Sequence, residues 1–269
     1  MKRKTEQYII WFRQILMFFA FTKKFRYVTL TPPGMKSQIL YDGKSRTASR
    51  FKIRDMTDWE TLNQIYLQED YALHRLTRHQ EIIENYRSIV EAGRRPLILD
   101  CGANIGLSSK YFSENFPEAV VVSIEPDTGN HALAKANCVS SSVIHTKAAI
   151  SSKSGLGAIK NANDSSNAFQ VESTDSGDFP MITVSEVLKE YASENVPPWL
   201  IKIDIEGFES DLFSENTDWI DSFPILVIEL HDWLYPGKAT SRNFISQVAK
   251  RHRDFVLSGE NVFSIQHKL

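Results

Sequence analysis

The stretch Leu97-Ile-Leu-Asp-Cys-Gly-Ala-Asn-Ile-Gly106 decides the fold of this chain. A short apolar run ends in an acid, two glycines follow at a spacing of four, and a segment of helical length begins after the second glycine. Glycine permits a positive φ angle and a close approach of the backbone. The pattern therefore predicts a buried strand, a tight turn and a helix that runs to about Asn115.

From Pro96 onward, short apolar runs alternate with segments of helical length, which predicts βαβ units and a parallel sheet. The expected strands cover residues 97–100, 119–125, 142–149, 199–205 and 225–230. Near the end, residues 254–257 and 262–265 flank Ser-Gly-Glu-Asn and predict a hairpin, which makes one late strand antiparallel. Residues 151–180 are rich in Ser, Gly, Asn and Asp, so we expect a polar loop there.

Four of the expected strands end in an acid: Asp100, Glu125, Asp204 and Glu229. Central parallel strands are buried on both faces, so charges within them need a partner or a function. Ligands of open α/β sheets bind at the carboxyl ends of the strands, near the switch in strand order. Four carboxylates along this edge indicate a ligand with several hydroxyl or amino groups.

The first loop differs from a pyrophosphate-binding loop, because Asn104 stands where GxGxxG has its middle glycine. Asp100 suits an ammonium group, the following helix N-terminus suits a carboxylate, and Glu125 suits ribose hydroxyls. Pro126 keeps Glu125 extended. An amino-acid-bearing nucleoside satisfies all three preferences. The predicted cofactor-binding residues are Asp100, Gly102, Ala103, Asn104, Gly106, Glu125 and Pro126.

Four motifs carry a family resemblance, namely residues 99–107, 124–126, 202–209 and 227–231. With them the chain resembles the FkbM-type methyltransferases over about residues 50–267. The resemblance implies a class I, Rossmann-like α/β methyltransferase with a mostly parallel seven-stranded sheet and an antiparallel strand near the C-terminus. It also implies S-adenosylmethionine (SAM) as cofactor. The expected acceptor is a hydroxyl oxygen on a sugar, a glycan or a hydroxylated small metabolite.

The expected chemistry needs a group that takes the proton of a poorly nucleophilic hydroxyl. Asp204 ends one strand, and Glu229 and His231 share a face one strand over. We predict these three as catalytic residues, with His231 or Asp204 as the base. A divalent metal such as Mg²⁺ beside the same groups is the alternative, and the sequence assigns no metal ligand.

Two other functions give different sequence patterns. A nicotinamide-dependent oxidoreductase on a doubly wound fold requires GxGxxG, which is absent. A non-catalytic SAM-binding module would have lost Asp100, Gly102 or Glu125, and all three are present.

Composition narrows the partners and the compartment. The 269 residues carry a net charge of −2, which disfavours a nucleic-acid partner. Two cysteines cannot form a disulfide framework, so a cytoplasmic protein is expected. We expect three regions: a basic and apolar helix at 1–35, an N-terminal extension or lid at 36–95, and the SAM-binding domain at 96–269. In the second region, Thr57 predicts a helix start, and residues 72–92 predict one long helix.

Residues 1–30 contain seven basic residues and one acid, a net charge of +6, around a 14-residue apolar run that Arg13 and Gln14 interrupt. A transmembrane helix needs about 20 apolar residues, so this run is too short. Two interpretations stay open: a helix that packs on the main domain, or a helix in peripheral contact with the inner face of a membrane. The sequence does not set the oligomeric state.

Overall fold

The computed structural model describes residues 2–20, 25–159, 171–174 and 177–269. The chain divides into two compact units, residues 1–69 and 70–269. None of the helices in the described part is long and apolar enough to cross a membrane.

The first unit combines helices with a small antiparallel sheet in the order β1–β2–β3. Its elements are α1 (Lys2–Ala20), β1 (Tyr27–Thr29), β2 (Ser37–Asp42), β3 (Thr47–Lys52) and α2 (Met56–Leu62), which continues into a π-helical turn at Asn63–Leu67. The expected helix near Thr57 is present, but its predicted cap is wrong. The side chain of Asp55 accepts the N–H groups of Thr57 and Asp58, so the helix begins one residue earlier.

The second unit begins with a short 3-10 helix at Leu73–Arg75, followed by α3 (His79–Glu91). The prediction of one helix over residues 72–92 is therefore wrong. Leu76 has an extended backbone with a ψ angle of 143°, which interrupts the helical pattern before His79. The next five elements are β4 (Leu97–Cys101), α4 (Leu107–Asn115), β5 (Val120–Ile124), α5 (Thr128–Asn137) and β6 (Val143–Thr146).

A second, smaller sheet replaces the polar loop expected at residues 151–180. Its strands are β7 (Ala149–Ser151), β8 (Gly155–Ile159), β9 (Val171–Ser173) and β10 (Phe179–Thr183), in the order β7–β10–β8–β9. The strand expected over 142–149 is likewise split into β6 and β7. Because these strands are short, polar and rich in glycine, their sequences show no clear alternation of apolar and polar residues. Residues 160–170 and 175–176 of the expected loop lie outside the described residues.

The remaining elements complete the main sheet. They are α6 (Val184–Tyr191), β11 (Pro198–Ile203), α7 (Glu209–Leu212), a 3-10 helix at Asp218–Ser222, β12 (Ile225–Glu229), α8 (Arg242–Val248), β13 (Arg253–Ser258) and β14 (Asn261–Gln266). The expected C-terminal hairpin is confirmed as β13 and β14.

The main sheet has seven strands in the order β13–β14–β12–β11–β4–β5–β6. β14 runs antiparallel to β12 and β13, and the neighbouring pairs from β12 to β6 are parallel. This confirms the mostly parallel, seven-stranded α/β fold with an antiparallel strand near the C-terminus. The strand order reverses beside β4, between β5 and β11, so the carboxyl ends of β4 and β11 form the switch point at which such sheets bind ligands. Fully buried apolar side chains on β4, β11 and β12 anchor this region, among them Leu99, Ile201 and Leu226.

Candidate functional site

The loop after β4 contains two glycines that let it lie close to neighbouring backbone. Gly102 has a φ angle of +80°, and a Cβ atom there would overlap the backbone carbonyl oxygen of Asp204. Gly106 has a φ angle of +82°, and its Cβ would lie 2.7 Å from the Cα atom of Ala134 on α5. The two glycines thus allow two close backbone approaches, one to a strand end and one to a helix. The predicted turn from strand to helix is confirmed, with α4 ending at Asn115.

Glu125 follows β5 and is held by main-chain amides. Its Oε2 atom accepts the N–H of Asn104 at 2.9 Å, and its Oε1 atom accepts the N–H of Asp127 at 3.0 Å and the Asn130 amide at 3.3 Å. Burial raises the pKa of this carboxyl to about 7, although these hydrogen bonds oppose the rise. An ionised carboxylate has about four acceptor positions, so one remains for a further donor.

A cleft of about 570 Å³ opens between this loop and the end of β11. The lining residues are Gly102, Asn104, Ile124, Glu125, Pro126, Asn130, Ala148, Ala149, Ile150, Asp204, Ile205, Glu206 and Phe208. An acidic acceptor thus stands beside an apolar wall, which fits a ribose next to a flat base.

The predicted cofactor residues divide into two groups in the structure. Gly102, Asn104, Glu125 and Pro126 line the cleft. Ala103 and Gly106 shape the loop from behind, since Ala103 is 2 % exposed and Gly106 faces α5.

Asp100 is fully buried behind the loop. Its Oδ2 atom accepts the hydroxyls of Ser108 and Ser109, both at 2.6 Å, in the first turns of α4. Its Oδ1 atom lies 3.3 Å from the Nζ atom of Lys202. Asp100 therefore ties β4 to α4 and β11, and a contact with a ligand ammonium group stays a prediction.

Lys202 is the buried cation of the site, with a side chain 2 % exposed. Its Nζ atom donates to the Gly102 carbonyl oxygen at 2.7 Å and lies 3.4 Å from Asp204 Oδ2. Burial alone would lower the pKa of Lys202, but the charges of Asp204 and Asp100 outweigh burial and raise it. Lys202 thus pairs with two acids and joins the ends of β4 and β11.

His231 lies 2 % exposed at the centre of a carboxylate cluster. Its Nδ1 atom donates to Glu209 Oε1 at 3.0 Å, and Glu209 is itself 1 % exposed. Its Nε2 atom faces three further carboxylates, those of Glu206 at 3.6 Å, Asp204 at 3.7 Å and Glu229 at 3.8 Å. The structure thus brings Asp204, Glu229 and His231 together. β11 ends at Ile203, and Glu206 reaches the cluster through a φ angle of +56° rather than along a regular strand.

The electrostatics of this cluster favour the protonated form of His231. Burial alone would lower the pKa of His231, but its bond to Glu209 and the surrounding carboxylates raise that pKa to about 10. Burial, followed by repulsion from Asp204, raises the pKa of Glu206 and Glu229. His231 is therefore a cation at neutral pH, and it neutralises part of the charge around it.

Sequence reasoning assigned no role to several residues of the site. Glu209 belongs to the motif at 202–209, but no role was predicted for it; its hydrogen bond to Nδ1 orients His231. Asn130 bonds Glu125 from α5, and Ala148–Ile150 supply the apolar wall. Tyr71 is 6 % exposed, and burial raises the pKa of its phenol within the fields of Lys202 and Asp204. Of these residues, only Asn130 has a sequence feature that points to the site: it follows Glu125 by five residues, which places it in the first turns of the next helix.

The family model described as the methyltransferase FkbM domain matches residues 100–257, more than half of the chain. No curated protein matches the chain.

Solved structures of methyltransferases resemble parts of the chain. The plantazolicin methyltransferase BpumL, in complex with a desmethylPZN analog and SAH, is 14% identical with a TM-score of 0.31; the match covers 68% of this chain and 58% of that one. The precorrin-6y C5,15-methyltransferase from Geobacter metallireducens GS-15 is 10% identical with a TM-score of 0.33, covering 71% and 88%. TrmK of M. capricolum, in complex with SAH, is 8% identical with a TM-score of 0.32, covering 68% of each chain. The chain thus spans under two thirds of the BpumL chain, and the family assignment rests on the domain match.

Proposed function

Because the chain belongs to the FkbM methyltransferase family, we propose that it transfers the methyl group of SAM to a hydroxyl oxygen. The proposed acceptor is a sugar, a glycan or another hydroxylated small metabolite. One observation carries the proposal: Asp204 lines the cleft, its side chain is 24 % exposed, and its Oδ1 atom lies 3.7 Å from Nε2 of the buried His231. A cleft with a carboxylate at its wall offers a proton acceptor to an incoming hydroxyl.

The cleft residues fit the proposed cofactor. Glu125 would accept the ribose hydroxyls, and the apolar wall of Ile124 and Ala148–Ile150 would cover the base. The loop Gly102–Gly106 would hold the amino-acid end. SAM supplies an electrophilic methyl group on a sulfonium sulfur. A methyltransferase mainly positions the acceptor oxygen in line with such a group.

Asp204 is the proposed base, and His231 is the positioning residue beside it. Asp204 would accept the proton of the acceptor hydroxyl when that oxygen takes the methyl group that SAM supplies. His231 cannot take this proton while it carries its own, because its pKa is raised to about 10. Its positive charge instead lies beside Asp204 and Glu229, and it opposes the rise in the pKa of Glu229. The raised pKa of His231 therefore supports Asp204 as the base of the two that the sequence offered.

A metal-assisted route would use the same side chains. Donor atoms of Asp204, Glu206 and His231 lie within 4.8 Å of one another, which is close enough to surround one ion. A divalent cation would acidify the acceptor hydroxyl in place of a base. In that case His231 would have to lose the proton on Nε2, so cation and proton compete for the cluster. The base route is the one we favour, since Glu209 supports the protonated imidazole.

The test is transfer of label from methyl-labelled SAM to a panel of sugars, glycan precursors and hydroxylated metabolites. A stable O-methyl ether on one of them supports the proposal. Label on nitrogen or carbon would overturn the reaction type. Asp204→Asn should lower kcat by about 10²–10⁴-fold, the usual effect of losing a general base. If chelation abolishes turnover and Mg²⁺ or Mn²⁺ restores it, the cluster holds a metal and Asp204 is a ligand.

A further inference from the structure

Helix α1 presents a row of large apolar side chains to solvent. Phe19 is 65 % exposed, Phe12 56 % and Leu16 54 %, and the adjacent Ile9 and Tyr8 are 49 % and 45 % exposed. Their spacing of three or four residues places them on one face of the helix. The helix lies at the surface of the first unit, so an apolar face of this kind indicates a contact with something else.

The opposite face of α1 is fixed within the first unit by specific contacts. The indole of Trp11 donates to the Thr29 carbonyl oxygen at 2.9 Å, and Phe18 is 4 % exposed. Two glutamines on this face donate hydrogen bonds to α2 and the π-helical turn after it: Gln7 to Glu60 at 2.9 Å and Gln14 to Asn63 at 2.8 Å. These bonds set the rotation of the helix. The apolar row therefore points outward, because the contacts of Trp11, Phe18 and the two glutamines hold the other face against the first unit.

The basic residues near the apolar row of α1 indicate what this face contacts. Arg13 is exposed and lies on the helix beside the apolar row. In the sequence, Lys2, Arg3 and Lys4 precede the apolar run, and Lys23 and Lys24 follow it. Aromatic and aliphatic side chains in one row, with basic residues around them, match the boundary between acyl chains and anionic headgroups. The helix cannot cross a bilayer, so it would lie in the plane of the surface.

We propose that α1 is a docking surface for an anionic lipid bilayer, with Phe12, Leu16 and Phe19 inserted among the acyl chains. One face of α1 then packs within the first unit and the other face meets lipid, while packing of this helix on the main domain stays a prediction. The contact does not depend on the methyl-transfer chemistry proposed above. It would bring the enzyme to acceptors that are carried at a membrane.

The experiment is flotation of the full-length protein with vesicles of phosphatidylcholine alone or of equal parts phosphatidylcholine and phosphatidylglycerol. We expect binding to the anionic vesicles, weakened by salt. The double variant F12S/L16S should bind at least 10-fold more weakly on both compositions, because each buried apolar side chain contributes about that factor. R13Q should lose about 5-fold on anionic vesicles only. V139S is the matched control, since Val139 is 86 % exposed in the second unit and should have no effect.

Each other outcome overturns the proposal. Wild-type protein that stays unbound on anionic vesicles excludes the docking surface. If the protein is instead a dimer in sedimentation analysis and F12S/L16S converts it to a monomer, the apolar face is an interface between copies. If V139S and F12S/L16S bind vesicles equally, adsorption is nonspecific. Binding of S-adenosylhomocysteine (SAH) by every variant shows that the second unit is folded.

Discussion

Replacing Gly102 by alanine tests the close approach between the loop after β4 and the end of β11. Its φ angle of +80° is unfavourable for alanine by about 1–2 kcal/mol. The added Cβ would also overlap the Asp204 carbonyl, so the loop must shift. That shift strains the bond from Lys202 to the Gly102 oxygen, now 2.7 Å, which as a charged hydrogen bond is worth about 1.5–3 kcal/mol. We therefore expect Gly102→Ala to destabilise the protein by about 3–5 kcal/mol.

Two other glycines provide the controls. Gly93 has a φ angle of +73° with nothing within 4 Å of the added Cβ, so Gly93→Ala isolates the backbone term of about 1–2 kcal/mol. Gly155 has open space and no positive φ, so Gly155→Ala should be nearly neutral. In thermal melts, a loss of 1 kcal/mol corresponds to about 2–4 °C for a domain of this size. Equal melting temperatures for Gly102→Ala and Gly93→Ala would refute the close-approach argument.

Three further predictions concern Glu125 and His231. Glu125→Ala should weaken SAH binding in calorimetry by about 1.5–3 kcal/mol, and an unchanged affinity would remove Glu125 from the ribose site. The folded-state pKa of Glu125 is raised from 4.5 to about 7, so the folded protein binds more protons than the unfolded chain between these values. This contribution to stability is present below pH 4.5 and is lost as the pH rises to about 7, so melts of Glu125→Gln should depend less on pH in that window than those of wild type. His231→Ala should lower kcat while the Kd for SAH stays within about 3-fold, because His231 touches carboxylates rather than the cleft; a weakened Kd with normal kcat would contradict its placement.

The main sheet could be predicted because its strands are long, apolar and ordered along the chain. The observed bounds of four strands lie within two residues of those expected from the apolar runs in the sequence: β4, β5, β11 and β12. The C-terminal hairpin was also readable, since a turn sequence separates two apolar runs. Two strands of the smaller sheet, β7 and β9, could not be predicted because they have three residues each. A strand of three residues shows too little alternation for a period to be recognised.

The same limit explains the helix that was expected over residues 72–92. Periodicity identifies which residues share a face, but it does not show where the chain leaves the helical conformation. Leu76 carries an apolar side chain in the right position and still adopts an extended backbone. It is 4 % exposed, so packing of that side chain overrides the local preference.

For the site, the sequence predicted four acids at one edge of the sheet, with Asp100 at the cofactor and Asp204 in catalysis, but it did not show how each is buried or paired. Asp100 and Asp204 look alike in the sequence, since each follows an apolar strand. Lys202 distinguishes them, because the register of β11 on β4 sets it opposite Asp100, a hundred residues earlier. The buried ammonium lies at similar distances from both carboxylates, 3.3 Å from Asp100 and 3.4 Å from Asp204. The Asp100 side chain is fully buried, whereas the Asp204 side chain is 24 % exposed and Asp204 lines the cleft. Register between distant strands therefore sets which carboxylate lies opposite Lys202 in the interior of the sheet, and single-sequence patterns do not contain that register.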